Sequence, residues 1–144
     1  MGGRQRSEGR TEVTSDELQK HIDTIEETYE FFLAYAAQGV SGSGAGVSGE
    51  LTQYLSRADQ ALAAFEGGIG DAAEGNDADA VAAMDQVLQR DATDTRAALR
   101  LVMVQPSISS QLIDNLNASI HFRALLTDLF LVDEALKTSL TSPE

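Results

Sequence analysis

The chain has 144 residues, a formal net charge of −13, no cysteine and a hydrophobic content of 42%. A chain of this size and content forms one globular domain without disulfides or a structural metal. Without cysteine it has no disulfides, thiolate nucleophiles or zinc–thiolate sites. The acidic charge argues against nucleic acid as a partner, because phosphate binding depends on Lys and Arg. The same acidity also suits a salt-adapted protein, in which it serves solubility.

The two ends of the chain are polar. Residues 1–10 hold three arginines and no apolar stretch, so we expect residues 1–13 to be a flexible tail and not a secretory signal. No run of about 18 apolar residues occurs, and a membrane span is therefore not expected. We expect a cytoplasmic protein with a single helical domain over 14–140 and a short tail over 141–144.

The first predicted helix has a clear beginning and end. Residues 14–17, Thr-Ser-Asp-Glu, have the spacing of a capping box. Apolar residues then recur at helical spacing as far as Gly39, where we expect the helix to end. Residues 39–49 contain five glycines and no Lys or Arg. This composition indicates a flexible connector and not a phosphate-binding loop.

The second and third predicted helices follow this connector. The second begins near Gly49 and either ends at Gly67 and Gly68 or continues past them. The third begins around Asp77, whose carboxylate complements the positive end of the helix dipole. We expect a kink or short break between residues 91 and 95, and the end of the helix before Pro106.

The fourth predicted helix starts at a serine after Pro106 and runs to about Leu140. No segment alternates with period two, so no strand is predicted. Four long helices with one loose connector predict an all-α fold, an antiparallel four-helix bundle with a long C-terminal helix.

This C-terminal helix is apolar on two sides, whose centres lie roughly 160° apart on a helical wheel. The first side consists of Ile113, Leu116, Ile120, Ala124, Leu131 and Ala135. The second consists of Phe122, Leu125, Leu126, Leu129, Val132, Leu136 and Leu140. A helix that is apolar on two sides must pack against other residues on both sides to remove these side chains from water, and one neighbouring helix is not enough. The first side is an ordinary core face. The second side makes the helix either the centre of the bundle or the contact with another subunit, and we take Phe122 to Leu136 of that side as the candidate interface.

Residues suited to metal or nucleophilic chemistry are few. The chain has two histidines, His21 and His121, and neither follows a glutamate at the spacing that di-iron bundles use. No Gly-x-Ser-x-Gly segment lies between a strand and a helix, as a nucleophilic serine would require. We therefore expect no metal, no cofactor and no catalytic activity.

Two polar groups are candidates for binding. In a continuous fourth helix, one strip of about 60° contains a set of residues that we call the polar strip. Its members are Asp114, Asn117, His121 and Asp128. The strip either forms a small-ligand site in which the acids tune His121, or it is a polar seam between two buried faces, or it simply faces solvent. Arg96 and Arg100 form a basic cluster, which either receives an acidic group of a ligand or partner or pairs with Asp94 or with carboxylates of the next helix.

Three functions remain in competition at this point. The first is a non-enzymatic accessory, assembly or regulatory subunit that pairs with a protein partner or with itself through the C-terminal helix. An acidic surface would surround that contact, and a homo-oligomer is the expected form. The second is a ligand-binding or sensor bundle with its site around His121. The third is an enzyme that uses the acidic residues and His121.

Overall fold

A computed structural model of the chain describes residues 14–39, 49–70 and 77–141, with side chains as far as residue 137 in the last helix. Helices contain 87% of the described residues, which include no strand. The five helices are α1 (Ser15–Ala37), α2 (Gly49–Glu66), α3 (Ala78–Met103), α4 (Ser110–Ala118) and α5 (Ile120–Thr141). The predicted all-α bundle with a long C-terminal helix is confirmed. The predicted tail over 1–13, most of the connector over 39–49 and the last three residues lie outside the described residues.

The predicted helix boundaries follow from capping chemistry. The Thr14 hydroxyl accepts from the Glu17 amide, and the Glu17 carboxylate accepts from the Thr14 amide, so both halves of the capping box form. Gly39 follows α1 with a φ of +69°, a backbone conformation that glycine adopts without strain. Asp77 caps α3 by accepting a hydrogen bond from the Ala80 amide.

The open question at the end of α2 is resolved in favour of a break. Gly68 has a φ of +99°, which turns the chain away from the helix axis. Ile69 then folds back into the core, and its amide donates to the Asp85 carboxylate at 3.2 Å. The short break considered between residues 91 and 95 does not occur, because α3 continues without interruption and buries Ala92 and Thr95.

The prediction of one continuous fourth helix is wrong. Ser119 lies between α4 and α5 with an extended backbone, at φ −63° and ψ 148°. Its hydroxyl accepts from the Phe122 amide and its carbonyl from the Arg123 amide, as expected of a residue that caps a new helix. One extended residue breaks the helical phase, so α4 and α5 present their apolar faces independently.

The helices pack as a bundle in which neighbours run in opposite directions. α1 and α2 are antiparallel, since His21 meets Phe65 near one end and Phe31 stacks on Tyr54 further along. α3 and α5 are also antiparallel. The Thr95 hydroxyl donates to the His121 carbonyl near one end, and Met84 lies beside Leu131 near the other.

α4 is fixed to α1 by two buried hydrogen bonds. The Tyr35 hydroxyl donates to the Ile108 carbonyl at 2.6 Å, and the Ser110 hydroxyl donates to the Tyr35 carbonyl at 2.8 Å. These bonds satisfy polar groups that would otherwise be costly to bury. They position the start of α4, and therefore the Ser119 break and the whole of α5.

The face of α5 that enters the core is the second apolar side of the sequence. The six residues of the candidate interface are all buried or partly buried within this chain: Phe122, Leu125, Leu126, Leu129, Val132 and Leu136. Their assignment as an intersubunit contact is therefore corrected in favour of the alternative, a core face. The first side divides at Ser119. Ile113 and Leu116 of α4 are buried, whereas Ile120 and Leu131 of α5 are exposed.

Two leucines on α5 test this orientation. Leu129 is 0% exposed and Leu131 is 59% exposed. We expect Leu129→Ala to lower the free energy of unfolding by about 2–5 kcal/mol, because it opens a cavity in the core. Leu131→Ala should change it by less than about 0.5 kcal/mol. Urea unfolding followed by circular dichroism measures both, and equal losses would show that the orientation of α5 is wrong.

Candidate interaction surface

One side of α5 exposes apolar residues to solvent. This outer face consists of the exposed Ile120, Leu131 and Ala135 and the half-buried Ala124, which follow one another along the helix over roughly 22 Å. Ile120 is 76% exposed and Leu131 is 59% exposed. Single exposed apolar residues are normal on protein surfaces, but a row of them at helical spacing is typical of a surface that a partner covers.

A groove lies beside the C-terminal half of the outer face. It has a volume of about 270 Å³ and is formed by α3 and α5 with Ile69 at its base. The side chains that line its walls are apolar: Ala80, Val81 and Met84 of α3, and Leu131, Ala135 and Leu136 of α5. Small residues on α3 leave room between the two helices, and the groove therefore has a shape that accepts a bulky aliphatic or aromatic side chain.

The exposed charges at the end of α3 and α5 that contains the groove are mostly negative. Asp77 and Asp79 at the start of α3 and Glu134 on α5 are exposed. Lys137 is the basic residue on this part of α5, and its ammonium lies 3.1 Å from the Asp133 carboxylate. This carboxylate raises the pKa of Lys137 through a hydrogen bond and its charge. The exposed charges at this end of α3 and α5 are therefore mainly acidic, and Asp133 and Lys137 lie on the side of α5 that faces Glu26 of α1.

A second hollow lies beside the other half of the outer face. It has a volume of about 450 Å³ and is lined by Ile120, Arg123, Ala124, Thr127 and Asp128 of α5 with Ala118 of α4. Burial, with a hydrogen bond and charge from Asp91 on α3, raises the pKa of Asp128 to about 7. Asp91 was not among the residues selected from the sequence, because nothing in the local pattern links positions on different helices.

The residues of the polar strip do not come together. Asn117 is buried and donates to the Tyr29 carbonyl at 3.4 Å, whereas Asp114 is exposed and lines a different hollow beside α1. His121 is exposed, and Asp128 faces Asp91 of α3. The break at Ser119 separates the first two residues from the last two, so the ligand site expected around His121 is not formed by these four residues.

The basic cluster is a set of ion pairs between α2 and α3. The Arg96 guanidinium donates to Asp59 at 2.9 Å and to Glu66 at 3.0 Å, and the Asp59 hydrogen bond raises the pKa of Arg96. Arg100 lies 3.9 Å from Asp59 and is more exposed. The cluster therefore pairs with carboxylates, one of the two alternatives expected, but these belong to the preceding helix α2 and not to the following one.

The sequence predicts neither a metal site nor a membrane-spanning helix, and two observations bear on these features. Among the described residues, no three His, Asp or Glu side chains lie close enough to share a metal ion. No helix in the described part of the chain combines the length and apolar content that a bilayer-spanning segment needs.

Comparisons with known protein families, with curated proteins and with solved structures find no match.

The Arg96 ion pairs can be tested against those of Arg100. Because Arg96 binds two carboxylates with its side chain 25% exposed, we expect Arg96→Ala to lower the free energy of unfolding by about 1–3 kcal/mol. Arg100→Ala, which removes a longer and more exposed contact, should cost less than about 0.5 kcal/mol. Thermal melting at low and high salt measures both. A loss for Arg96→Ala no larger than that for Arg100→Ala would contradict a structural role for this cluster.

Proposed function

We propose that this chain is a non-enzymatic interaction protein, an accessory, assembly or regulatory subunit that binds a helix of a partner protein. The partner helix lies along the outer face of α5 and places an apolar side chain in the groove between α3 and α5. The observation that carries this proposal is the exposure of Ile120 and Leu131 on the same side of α5 as the groove. Helix-in-groove recognition uses this combination of an apolar cleft and helical anchor residues.

The charge of the surface supports a partner with basic residues. Asp77, Asp79 and Glu134 are exposed on the two helices that form the groove, so a partner helix that carries Lys or Arg beside its apolar stripe gains favourable electrostatic interactions. A second copy of the chain would bring another net charge of −13 to the contact. Charge complementarity therefore favours a basic partner over the homo-oligomer expected from the sequence.

The proposal is tested with a displayed library of helical peptides selected on the full chain, because the natural partner is not needed to define the surface. We expect the selected peptides to combine an apolar stripe with Lys or Arg at its borders. Ala135→Glu places a charged side chain at the edge of the groove and should weaken their binding by about tenfold or more, since a carboxylate is costly to desolvate. Fluorescence anisotropy with labelled peptides gives the dissociation constants.

The matched control is Ala97→Glu, which adds the same charge at an exposed position of α3 outside the groove. It should change the dissociation constants by no more than about threefold, the general effect of one added surface charge. Equal effects of the two substitutions would contradict the proposed surface. Sedimentation of the wild type as a dimer that Ala135→Glu dissociates would replace the basic partner with a second copy.

A further inference from the structure

Two carboxyl groups face each other across the contact between α3 and α5. Asp128 of α5 and Asp91 of α3 lie within hydrogen-bonding reach. The Asp128 Oδ2 atom is shielded from solvent, and no donor among the described residues reaches it. Ionised carboxylates only accept hydrogen bonds, so these two groups bond to each other only when one of them carries a proton. When both are ionised, the same contact is repulsive.

The other charged groups around Asp128 do not replace this interaction. Asp91 is the facing ionisable group that acts on it from α3, and the nearest charged residues along α3, Arg90 and Asp94, are exposed. On α5, Arg123 shares the hollow with Asp128, and His121 is exposed two turns earlier. α4 contributes the uncharged Ala118 to this hollow. The hydrogen bond through the shared proton is therefore the attractive interaction between the two carboxyl groups.

We propose that Asp91 and Asp128 form a proton-dependent latch that holds α5 against α3 and releases it when the shared proton is lost. The latch lies in the middle of the α3–α5 contact. Thr95 bonds the start of α5 on one side of it, and the apolar groove lies on the other. Loss of the proton replaces a hydrogen bond between the helices with repulsion between two charges. The spacing of α3 and α5, which sets the width of the groove, then depends on pH.

The direction of the pH dependence follows from the titration of Asp128. Its pKa is raised from 3.8 to about 7, first by burial and then by Asp91. The folded chain therefore keeps a proton at pH values where the unfolded chain has already lost it. The stabilisation from this proton is complete below the ordinary pKa of 3.8 and is lost as the pH rises through about 7. The helices are held together in mildly acidic solution and loosen in mildly alkaline solution.

Hydrogen–deuterium exchange of the full chain at pH 6 and pH 8 tests the latch. After correction for the intrinsic pH dependence of exchange, we expect the protection of α5 amides to fall by about tenfold between the two pH values. Protection of α2, which lies on the other side of α3, should change little. An equal fall in all helices, or no fall in α5, would overturn the proposal.

Asparagine variants distinguish a pH effect caused by the shared proton from one caused by burial of the two side chains. Asp128→Asn supplies an amide that donates to Asp91 at every pH, so the protection of α5 should become independent of pH. Asp91→Asn does the same from the other helix and serves if the first variant does not fold. Asp94→Asn, at an exposed position of α3 outside the pair, should keep the fall seen in the wild type. A fall of the same size in both pair variants would show that another group causes it.

Discussion

The extended backbone of Ser119 determines which residues of the C-terminal region are buried. A continuous helix from Ser110 to Thr141 would place Ile113 and Leu125 on different sides, so that one of them faced solvent. With the break, both are 0% exposed in the same core. The Ser119 hydroxyl and carbonyl cap the new helix, which offsets the loss of helical hydrogen bonds at this point.

The outer face of α5 is a consequence of the same break. Once Phe122, Leu125 and Leu129 occupy the core, Ile120 and Leu131 lie on the opposite side of the helix. The helix has about 3.6 residues per turn, so these positions cannot be buried by a local adjustment. An apolar face that the described residues leave uncovered is the physical basis for the proposed partner helix, and the exposed acids on α3 and α5 are the basis of its proposed charge preference.

The acidic groups of this protein differ in their roles according to their surroundings. Asp59 and Glu66 are held by the Arg96 guanidinium and connect α2 to α3. Asp128 has a second carboxyl as its neighbour, and no donor among the described residues reaches its Oδ2 atom, which is the basis of the proposed response to protons. Asp77 and Asp79, the exposed acids at the start of α3, belong to neither of these arrangements. They contribute to the negative electrostatic potential that a basic partner would meet.

Much of the fold could be predicted from the sequence, because helix ends depend on local chemistry. The capping box at Thr14, the start of α3 next to Asp77 and the end of α1 at Gly39 are confirmed at the predicted residues. The break at Ser119 was missed, although its signal was present. The two apolar sides, roughly 160° apart, are what a single core face produces when the helical phase is interrupted between them.

The candidate surface could be predicted less well, because it depends on contacts between distant parts of the chain. The C-terminal helix was selected correctly as apolar on two sides, but the buried and exposed sides could not be assigned without the break. The groove needs Met84 beside Leu131, and the carboxyl pair needs Asp91 beside Asp128. No pattern within one helix specifies such pairs.

The proposed surface depends on the orientation of α5. Because the chain contains no cysteine, this orientation can be measured directly with single introduced cysteines. A single cysteine is introduced at position 129 or 131, and its rate of reaction with a thiol reagent is compared with the rate in the unfolded chain. We expect the cysteine of Leu131→Cys to react nearly as fast in the folded chain as in the unfolded chain. Leu129→Cys should be protected by about a hundredfold or more, because it reacts only when the core opens. Rapid reaction at 129 together with protection at 131 would contradict the account, since the outer face would then be the buried one.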